Sequence, residues 1–330
     1  MSGEPAAVVT APGVAVLLST WNGAAWLPAQ LESLLAQTHA GWTLVVRDDG
    51  STDGTRALLD AYAERDARIR ILPADGRRLG ACGSFGALLE AVDAPWIAFC
   101  DQDDVWHPAK LERGLGALRA LEAAHGAATP LLVHSDLRPV RADGTPIAES
   151  FLAYQSLRPV DGAPLRELLA QNFVTGCAVT INRALRAAAA PVPAGVIMHD
   201  WWLALVAAAT GRVQHLPEAT IDYRQHGGNT IGAKRLLSRR SLERVLRAGE
   251  LDAAVAATVR QARALRTRLA ERGIDGERRR LVEALVPALE RGGPTAAAAA
   301  LRYGLAKQGA VRTALFYGVL LRGRYARGLA

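Results

Sequence analysis

Pro95-Trp96-Ile97-Ala98-Phe99-Cys100-Asp101-Gln102-Asp103-Asp104 runs from an apolar, strand-like stretch straight into three carboxylates within four residues. Val105-Trp106-His107-Pro108 follows, where a helix is expected to start. The pattern predicts a buried strand that ends in an acidic turn. Like charges this close are costly unless a cation or hydrogen-bond donors neutralise them. Hard divalent cations with oxygen ligands do so, and Mg²⁺ is typically held by one or two carboxylates plus substrate phosphates. Asp-rich turns are also common at strand ends, so this stretch alone leaves both readings open.

The same strand–turn–helix order occurs twice upstream. Val14 to Leu18 is apolar, Ser19-Thr20-Trp21-Asn22-Gly23 forms a turn, and Trp26, Leu27, Leu31, Leu34 and Leu35 follow at helical spacing. Thr43-Leu44-Val45-Val46-Arg47 leads into Asp48-Asp49-Gly50-Ser51-Thr52-Asp53-Gly54-Thr55, where Ser51, Thr52 or Asp53 can cap the next helix. Strands are expected near 14–19, 42–47, 69–72 and 95–100, and helices near 24–36, 54–63, 83–91 and 108–123. This alternation predicts βαβ units and a mainly parallel sheet. In such an open α/β sheet the polar loops share the carboxyl edge, where ligands bind. Further on, 131–136, 178–181 and 221–223 read as strands, Asp143-Gly144 as a hairpin turn, and 201–209 as a buried helix.

The 330 residues are 50% hydrophobic and 22% charged, which supplies a sizeable core and excludes wholesale disorder. The net charge of +7 favours anionic partners: nucleotide phosphates, anionic lipid or nucleic acid. Three scattered cysteines, Cys82, Cys100 and Cys177, fit neither a zinc site nor a disulfide framework. Cys100 and Cys177 read as small buried hydrophobes, and the chain suits a reducing cytoplasm. Met1 to Gly13 has no basic start and no apolar h-region, and no run reaches the ~18 apolar residues of a membrane span.

As an ordered set, Val16-Leu17-Leu18-Ser19-Thr20-Trp21-Asn22-Gly23, Arg47-Asp48-Asp49-Gly50-Ser51-Thr52-Asp53-Gly54-Thr55 and Asp101-Gln102-Asp103-Asp104 resemble the signature blocks of family 2 glycosyltransferases with the GT-A fold. Thr175-Gly176-Cys177 with Asn182-Arg183, His199-Asp200-Trp201-Trp202, and Tyr223-Arg224-Gln225-His226-Gly227-Gly228-Asn229-Thr230 extend the match. The last two blocks are similar to bacterial rhamnosyltransferases of surface polysaccharide synthesis. The resemblance covers about residues 14 to 232. It implies a Rossmann-like mixed, mainly parallel sheet flanked by helices. The catalytic domain would span 1–232 and a basic helical region 233–330.

The resemblance also implies roles. Asp103 and Asp104 would hold Mg²⁺ or Mn²⁺, with Asp101 touching the ribose or the metal. Asp48 or Asp49 would accept the pyrimidine N3–H, which suits a carboxylate because it accepts and does not donate. Thr20 and Asn22 would line the same pocket, whereas Asp53 reads as a helix cap. Donor contacts are expected from Arg78-Leu79-Gly80 and Ser84-Phe85, where relatives are usually Asn-rich. Asp200 would be the general base on the acceptor hydroxyl. His199 stands where relatives carry Glu, and would tune that base or touch the acceptor near Gly176. Of Trp201 and Trp202, about 100° apart on a helix, one can enter the core and the other face the cleft as a sugar platform. His226 would be a further metal ligand and Arg224 a diphosphate clamp, in a Gly-rich loop closing over the nucleotide.

The expected partners are therefore a nucleotide-diphosphate sugar and a saccharide or lipid-linked acceptor, not nucleic acid. Residues 234–247 carry six basic side chains against one Glu, and residues 295–330 contain no acid. That tail, with Leu301, Tyr303, Leu315, Phe316 and Leu320 between its arginines, suits either an amphipathic helix on anionic lipid or a helix packed on the catalytic domain. A cytoplasmic protein, peripheral on the membrane's inner face, is the corresponding location. A sugar nucleotidyltransferase would need a cationic loop after the first strand, and Ser19-Thr20-Trp21-Asn22-Gly23 has none. A non-catalytic sugar-nucleotide-binding module is countered by the intact Asp103, Asp104 and Asp200.

Overall fold

The computed structural model describes residues 8–227 and 248–329. Its main sheet has eight strands: β1 (Val14–Thr20), β2 (Trp42–Asp48), β3 (Ile69–Ile71), β4 (Trp96–Asp101), β5 (Val105–Trp106), β6 (Leu131–Arg141), β7 (Val179–Asn182) and β8 (Arg212–Gln225). The spatial order is β3-β2-β1-β4-β7-β6-β8-β5. β3, β2, β1 and β4 are mutually parallel, and β7 runs antiparallel between β4 and β6. The first four strands lie where the sequence pattern sets them. β8 is much longer than the expected 221–223, because Arg212 to Leu216 already pairs with Leu131 to Ser135. Its alternation is broken by register shifts around Ala219, which hides a strand from pattern reading.

Register brings the site together. Ser19 pairs with Asp101 and Thr20 with Asp48, so β1, β2 and β4 end level at one edge. β8 then pairs antiparallel with β5 through Ile221↔Trp106 and Asp222↔Val105. That pairing carries the end of β8 alongside Asp103 and Asp104.

Both faces of the sheet are covered, as parallel strands require. Val14, Val16, Leu18, Leu44 and Ala98 face one core, against α1 (Leu27–Leu35), α2 (Thr55–Arg65) and the N-terminal half of α4 (Lys110–His125). The alternate residues Ala15, Leu17, Val45, Ile97 and Phe99 face the other, with α3 (Gly80–Ala91) and α5 (His199–Thr210). α5 is apolar nearly all round and correspondingly deep: Trp202, Leu203, Ala204, Leu205 and Val206 are buried.

The C-terminal helices α6 (Ala248–Glu271), α7 (Glu277–Arg291), α8 (Gly293–Arg302) and α9 (Ala310–Arg322) join this second core. Gly292 alone separates α7 from α8, which starts at Gly293-Pro294. Arg268 on α6 is buried and donates to the carbonyls of Ala188, Ala189 and Pro191, tying the helical region to the α/β part. Phe316, Val319, Leu320 and Tyr325 are buried, and Tyr325 Oη donates to Leu289 O at 2.6 Å. Arg312 donates to the carbonyls of Gln155 and Ser156. Of the two readings of the tail, packing on the rest of the protein describes most of it. Each such buried apolar side chain is worth roughly 1.5–3 kcal/mol. Leu301, Val311 and Leu321 remain exposed. The basic run 234–247 and the boundary at 232/233 lie outside the described residues. Among the described residues, no helix is long and apolar enough to cross a membrane.

Candidate active site

The loop after β1 is held from two sides. Trp21 N–H donates to Gln102 Oε1 at 2.9 Å, and Gln102 Nε2 donates back to Trp21 O at 3.0 Å. A Cβ at Gly23 would stand 2.2 Å from Gln102 Oε1, so any side chain there would push this brace aside. Asn22, at φ 47°, accepts from Thr52 N–H and donates its own N–H to Ser51 Oγ. Gln102, which carried no expected role, is thus the brace between the first turn and the acidic one.

The Asp48-Asp49 turn is fully engaged by the protein. Asp48 accepts from Thr20 Oγ1 at 2.8 Å and from Ser51 N–H and Oγ. Asp49 is buried against Arg47 and accepts Leu79 N–H and Gly80 N–H, each at 2.8 Å. Burial raises the Asp49 carboxyl, but the Leu79 N–H, Arg47 and Gly80 N–H outweigh it and hold the group below its usual range. Arg47 also reaches Asp75, Arg77 O and Ser84 Oγ. The base-reading role expected of Asp49 is therefore corrected: its carboxylate is closed off and organises the 75–80 loop. Ser84 and Phe85 are likewise buried and line the core rather than a donor pocket. Asp53 accepts from Thr55 N–H and Oγ1, but the N-cap of α2 is Gly54, so Asp53 stands one residue ahead of the expected cap position.

The Asp101–Asp104 turn is the opposite case. Asp104 is wholly buried; its Oδ1 accepts Arg224 N–H at 3.1 Å, while Oδ2 has no hydrogen-bond partner. Burial, then the charges of Asp103 and Asp101, push its carboxyl well above the usual range. Burial and Asp103 likewise raise Asp101 to about 7. Ligand atoms of Asp101, Asp104 and Cys177 lie within 4.8 Å of one another. The donor set fits a divalent cation, which would relieve both the repulsion and the orphaned oxygen. Lys110, buried over the Trp106 ring, is a cation that sequence reasoning passed over, and burial pulls its amino group down to about 8.

The expected grouping of ligands is corrected in part. Asp103 and His226 do not complete that cluster; they bond to each other, Oδ2 to Nε2, at 2.8 Å. His226 stacks on Trp26 with ring centroids 4.9 Å apart, and the Arg224 guanidinium lies 5.0 Å from the same ring. Arg224 also donates to Asp103 O and Ala142 O, so part of the expected diphosphate clamp serves to fasten strand ends. Gly228, Asn229 and Thr230 of this motif lie outside the described residues.

Asp200 stands at the start of α5, mostly buried, taking Trp201 N–H, with Asn172 Nδ2 3.5 Å away. Burial raises its carboxyl to about 7. Gly176 leaves room for it, since a Cβ there would meet His199 Nε2 at 3.0 Å and Asp200 Cβ at 3.6 Å. His199 is buried between Phe85 and Phe99, with centroids 4.1 and 5.2 Å away, and neither ring nitrogen has a partner. Burial lowers it to about 3, so it is neutral and set behind the cleft, not on an acceptor. The sugar-platform role is corrected for Trp202, which is fully buried with Nε1 donating to Ala189 O. Trp201 is half-buried and donates to Leu168 O.

A mixed sheet with nucleotide-style turns and an acidic cluster at one edge defines a protein of the GT-A architecture. The solved structure of S. aureus TarS 1-349 in complex with UDP-GlcNAc matches it with a TM-score of 0.53 at 15% identity, over 84% of this chain and 72% of that one. Residues 15–140 match the family model of glycosyl transferase family 2. TuaG of Bacillus subtilis, provisionally named a teichuronic acid biosynthesis glycosyltransferase, is 30% identical over 173 residues, 52% of this chain and 63% of its own length. The dTDP-rhamnosyl transferase RfbG of Shigella flexneri is 25% identical over 221 residues, 66% of this chain and 74% of its own. The chain thus spans less than two thirds of TuaG, and 38% of the glucosyltransferase WfgD of Escherichia coli.

Proposed function

We propose that this protein is an inverting, metal-dependent glycosyltransferase of cell-envelope polysaccharide synthesis. It moves a sugar, L-rhamnose from dTDP-rhamnose, onto a saccharide or lipid-linked saccharide acceptor. The observation that carries the reading is Asp104: a wholly buried acid with one unpartnered oxygen, beside Asp101, at the edge where three strands end level. Thr20, Asn22 and Asp48 border the donor at that edge. Asp101 and Asp104 would hold Mg²⁺ or Mn²⁺, which would supply Lewis-acid stabilisation of the charge building on the diphosphate. The Asp103–His226 pair and Arg224, layered on Trp26, frame the other side of the diphosphate.

Asp200 takes the proton of the acceptor hydroxyl as that oxygen attacks the anomeric carbon from the face opposite the diphosphate. A base with a pKa near the operating pH suits this task, and the buried Asp200 has one. The choice of rhamnose is supported by the likeness to RfbG over two thirds of the chain. The exposed Leu301, Val311 and Leu321, with Arg302, Arg322 and Arg324 nearby in sequence, support peripheral contact with an anionic membrane carrying the acceptor. Incubation with labelled sugar nucleotides, Mg²⁺ or Mn²⁺ and an acceptor panel tests the reading. Transfer from dTDP-rhamnose above all other donors is expected. Transfer from a uridine-linked sugar alone would overturn the donor, and no transfer from any donor would overturn the activity.

A further inference from the structure

Cys177 lies in the turn Gly176–Ala178 that leads into β7. β7 pairs antiparallel with β4 through Ala98↔Thr180, so this turn is held beside the acidic end of β4. Cys177 is fully buried, and its sulfur falls within 4.8 Å of carboxylate oxygens of Asp101 and Asp104. Two donors on one small cation stand at most about 4.5 Å apart, given metal–donor distances of roughly 2.0–2.3 Å. The 4.8 Å bound on the three side chains stands a few tenths of an ångström above that limit, so small side-chain rotations bring them onto one ion. Asp104 Oδ2, buried without a partner, is the independent sign that a ligand belongs there. A thiol is only a weak donor and does little for that oxygen. Among the described residues, neither Cys82 nor Cys100 joins such a group.

We propose that Cys177 is a third ligand of this cation site, giving it a mixed oxygen and sulfur shell that favours softer divalent ions over Mg²⁺. The inference rests on the reading that the cluster holds a divalent cation. Sulfur ligands select softer metals, whereas Mg²⁺ prefers carboxylate, carbonyl and water oxygens. As the metal–sulfur bond forms, the Sγ–H proton passes to solvent, so binding tightens with rising pH and releases a proton. The same residue that packs like an apolar side chain thereby sets which ion the enzyme uses.

The test is a Cd²⁺ titration of the metal-free full-length protein, with and without dTDP, followed by ultraviolet absorption and calorimetry. A sulfur-to-cadmium charge-transfer band saturating near one equivalent is expected. Cys177→Ser should erase the band and lower the preference for Cd²⁺ over Mg²⁺ at least tenfold, while Cys82→Ser keeps both. Circular dichroism checks that the variant is folded, and Cys177→Ala provides a second one. Cd²⁺ binding without the band, or a band that survives in both Cys177 variants, would overturn the proposal. If Mg²⁺ or Mn²⁺ binds with dTDP but Cd²⁺ gives no band, the sulfur ligand is refuted and the metal-dependent reading stands. If no divalent ion binds at all, both are refuted.

Discussion

Two acidic turns lie at the same edge of the sheet, and they are built in opposite ways. Asp48-Asp49 is satisfied by Thr20, Ser51, Arg47, Leu79 and Gly80, all from within the protein. In the second turn Asp101 and Asp104 are left with raised carboxyls, and one Asp104 oxygen has no hydrogen-bond partner. On paper both are Asp-Asp at a strand end. The difference is that the Asp49 carboxylate has an arginine two residues earlier and a loop folding over it, whereas Asp104 has one backbone N–H, from Arg224, and otherwise faces other acids and a thiol. The first turn therefore stabilises the fold, and the second is costly to the fold until a ligand arrives. Substitutions on the two sides should accordingly move different observables.

The largest effects belong to the unsatisfied side. Asp104→Asn should lower turnover by two orders of magnitude or more, and EDTA should do the same to the wild type. The melting temperature of the Asn variant should hold or rise, since a repelled buried charge is removed. Asp200→Asn should lose about 10²–10⁴-fold in rate, the usual worth of a general base, with dTDP affinity unchanged. Its pH behaviour sharpens the point. The Asp200 carboxyl goes from 3.8 to about 7 on folding, so the folded state holds its proton more tightly. Stability must then fall as pH rises between those values, and the Asn variant should escape that fall. Wild-type kcat/KM should climb through about pH 7 as the base deprotonates. A variant that loses dTDP binding along with turnover would make Asp200 a donor-side residue instead.

On the satisfied side the order reverses. Asp49→Asn breaks a buried pair and leaves Arg47 uncompensated, which typically costs about 3–5 kcal/mol. A large drop in denaturant midpoint is expected, with dTDP affinity falling only as far as the 75–80 loop is disturbed. Because the folded Asp49 carboxyl is held below its unfolded value, its contribution is present above about pH 4 and is lost as pH falls through the folded pKa. Unfolding titrations at pH 7 and pH 3 should therefore differ less for Asp49→Asn than for wild type. An equal difference would place the acid sensitivity elsewhere.

The contrast also marks how far the sequence could be read. Strands β1, β2 and β4 and the helices after them follow from apolar runs that end in turn residues, because those signals are local. The presence of an acidic, ligand-facing edge follows from the same runs. Which acid is free does not, because it depends on partners far away in the chain: Leu79 and Gly80 for Asp49, Arg224 for Asp104. Cys177 read as a buried hydrophobe for the same reason, its neighbours being more than 70 residues away. Trp202 and His199 sat in a motif that looks catalytic, yet the all-round apolar character of α5 was the better guide to their burial. The tail's arginines spoke for a lipid surface, while its aromatic residues carry it into the core.

The smallest expected effect lies at Ser84, the hydroxyl that accepts from Arg47 at 2.8 Å on the far side of the Asp49 pair. It is fully buried, so removing it leaves one guanidinium N–H with one acceptor fewer and no water to replace it. Bonds to charged groups contribute about 1.5–3 kcal/mol, and Asp49, Asp75 and Arg77 O still hold the arginine. Ser84→Ala should therefore cost about 1 kcal/mol, read as a small fall in melting temperature. The Ser84–Phe85 stretch is core here, so the KM for the sugar nucleotide should not change. A KM that rises severalfold with no loss of stability would return Ser84 to the donor pocket and blur the division between the two turns.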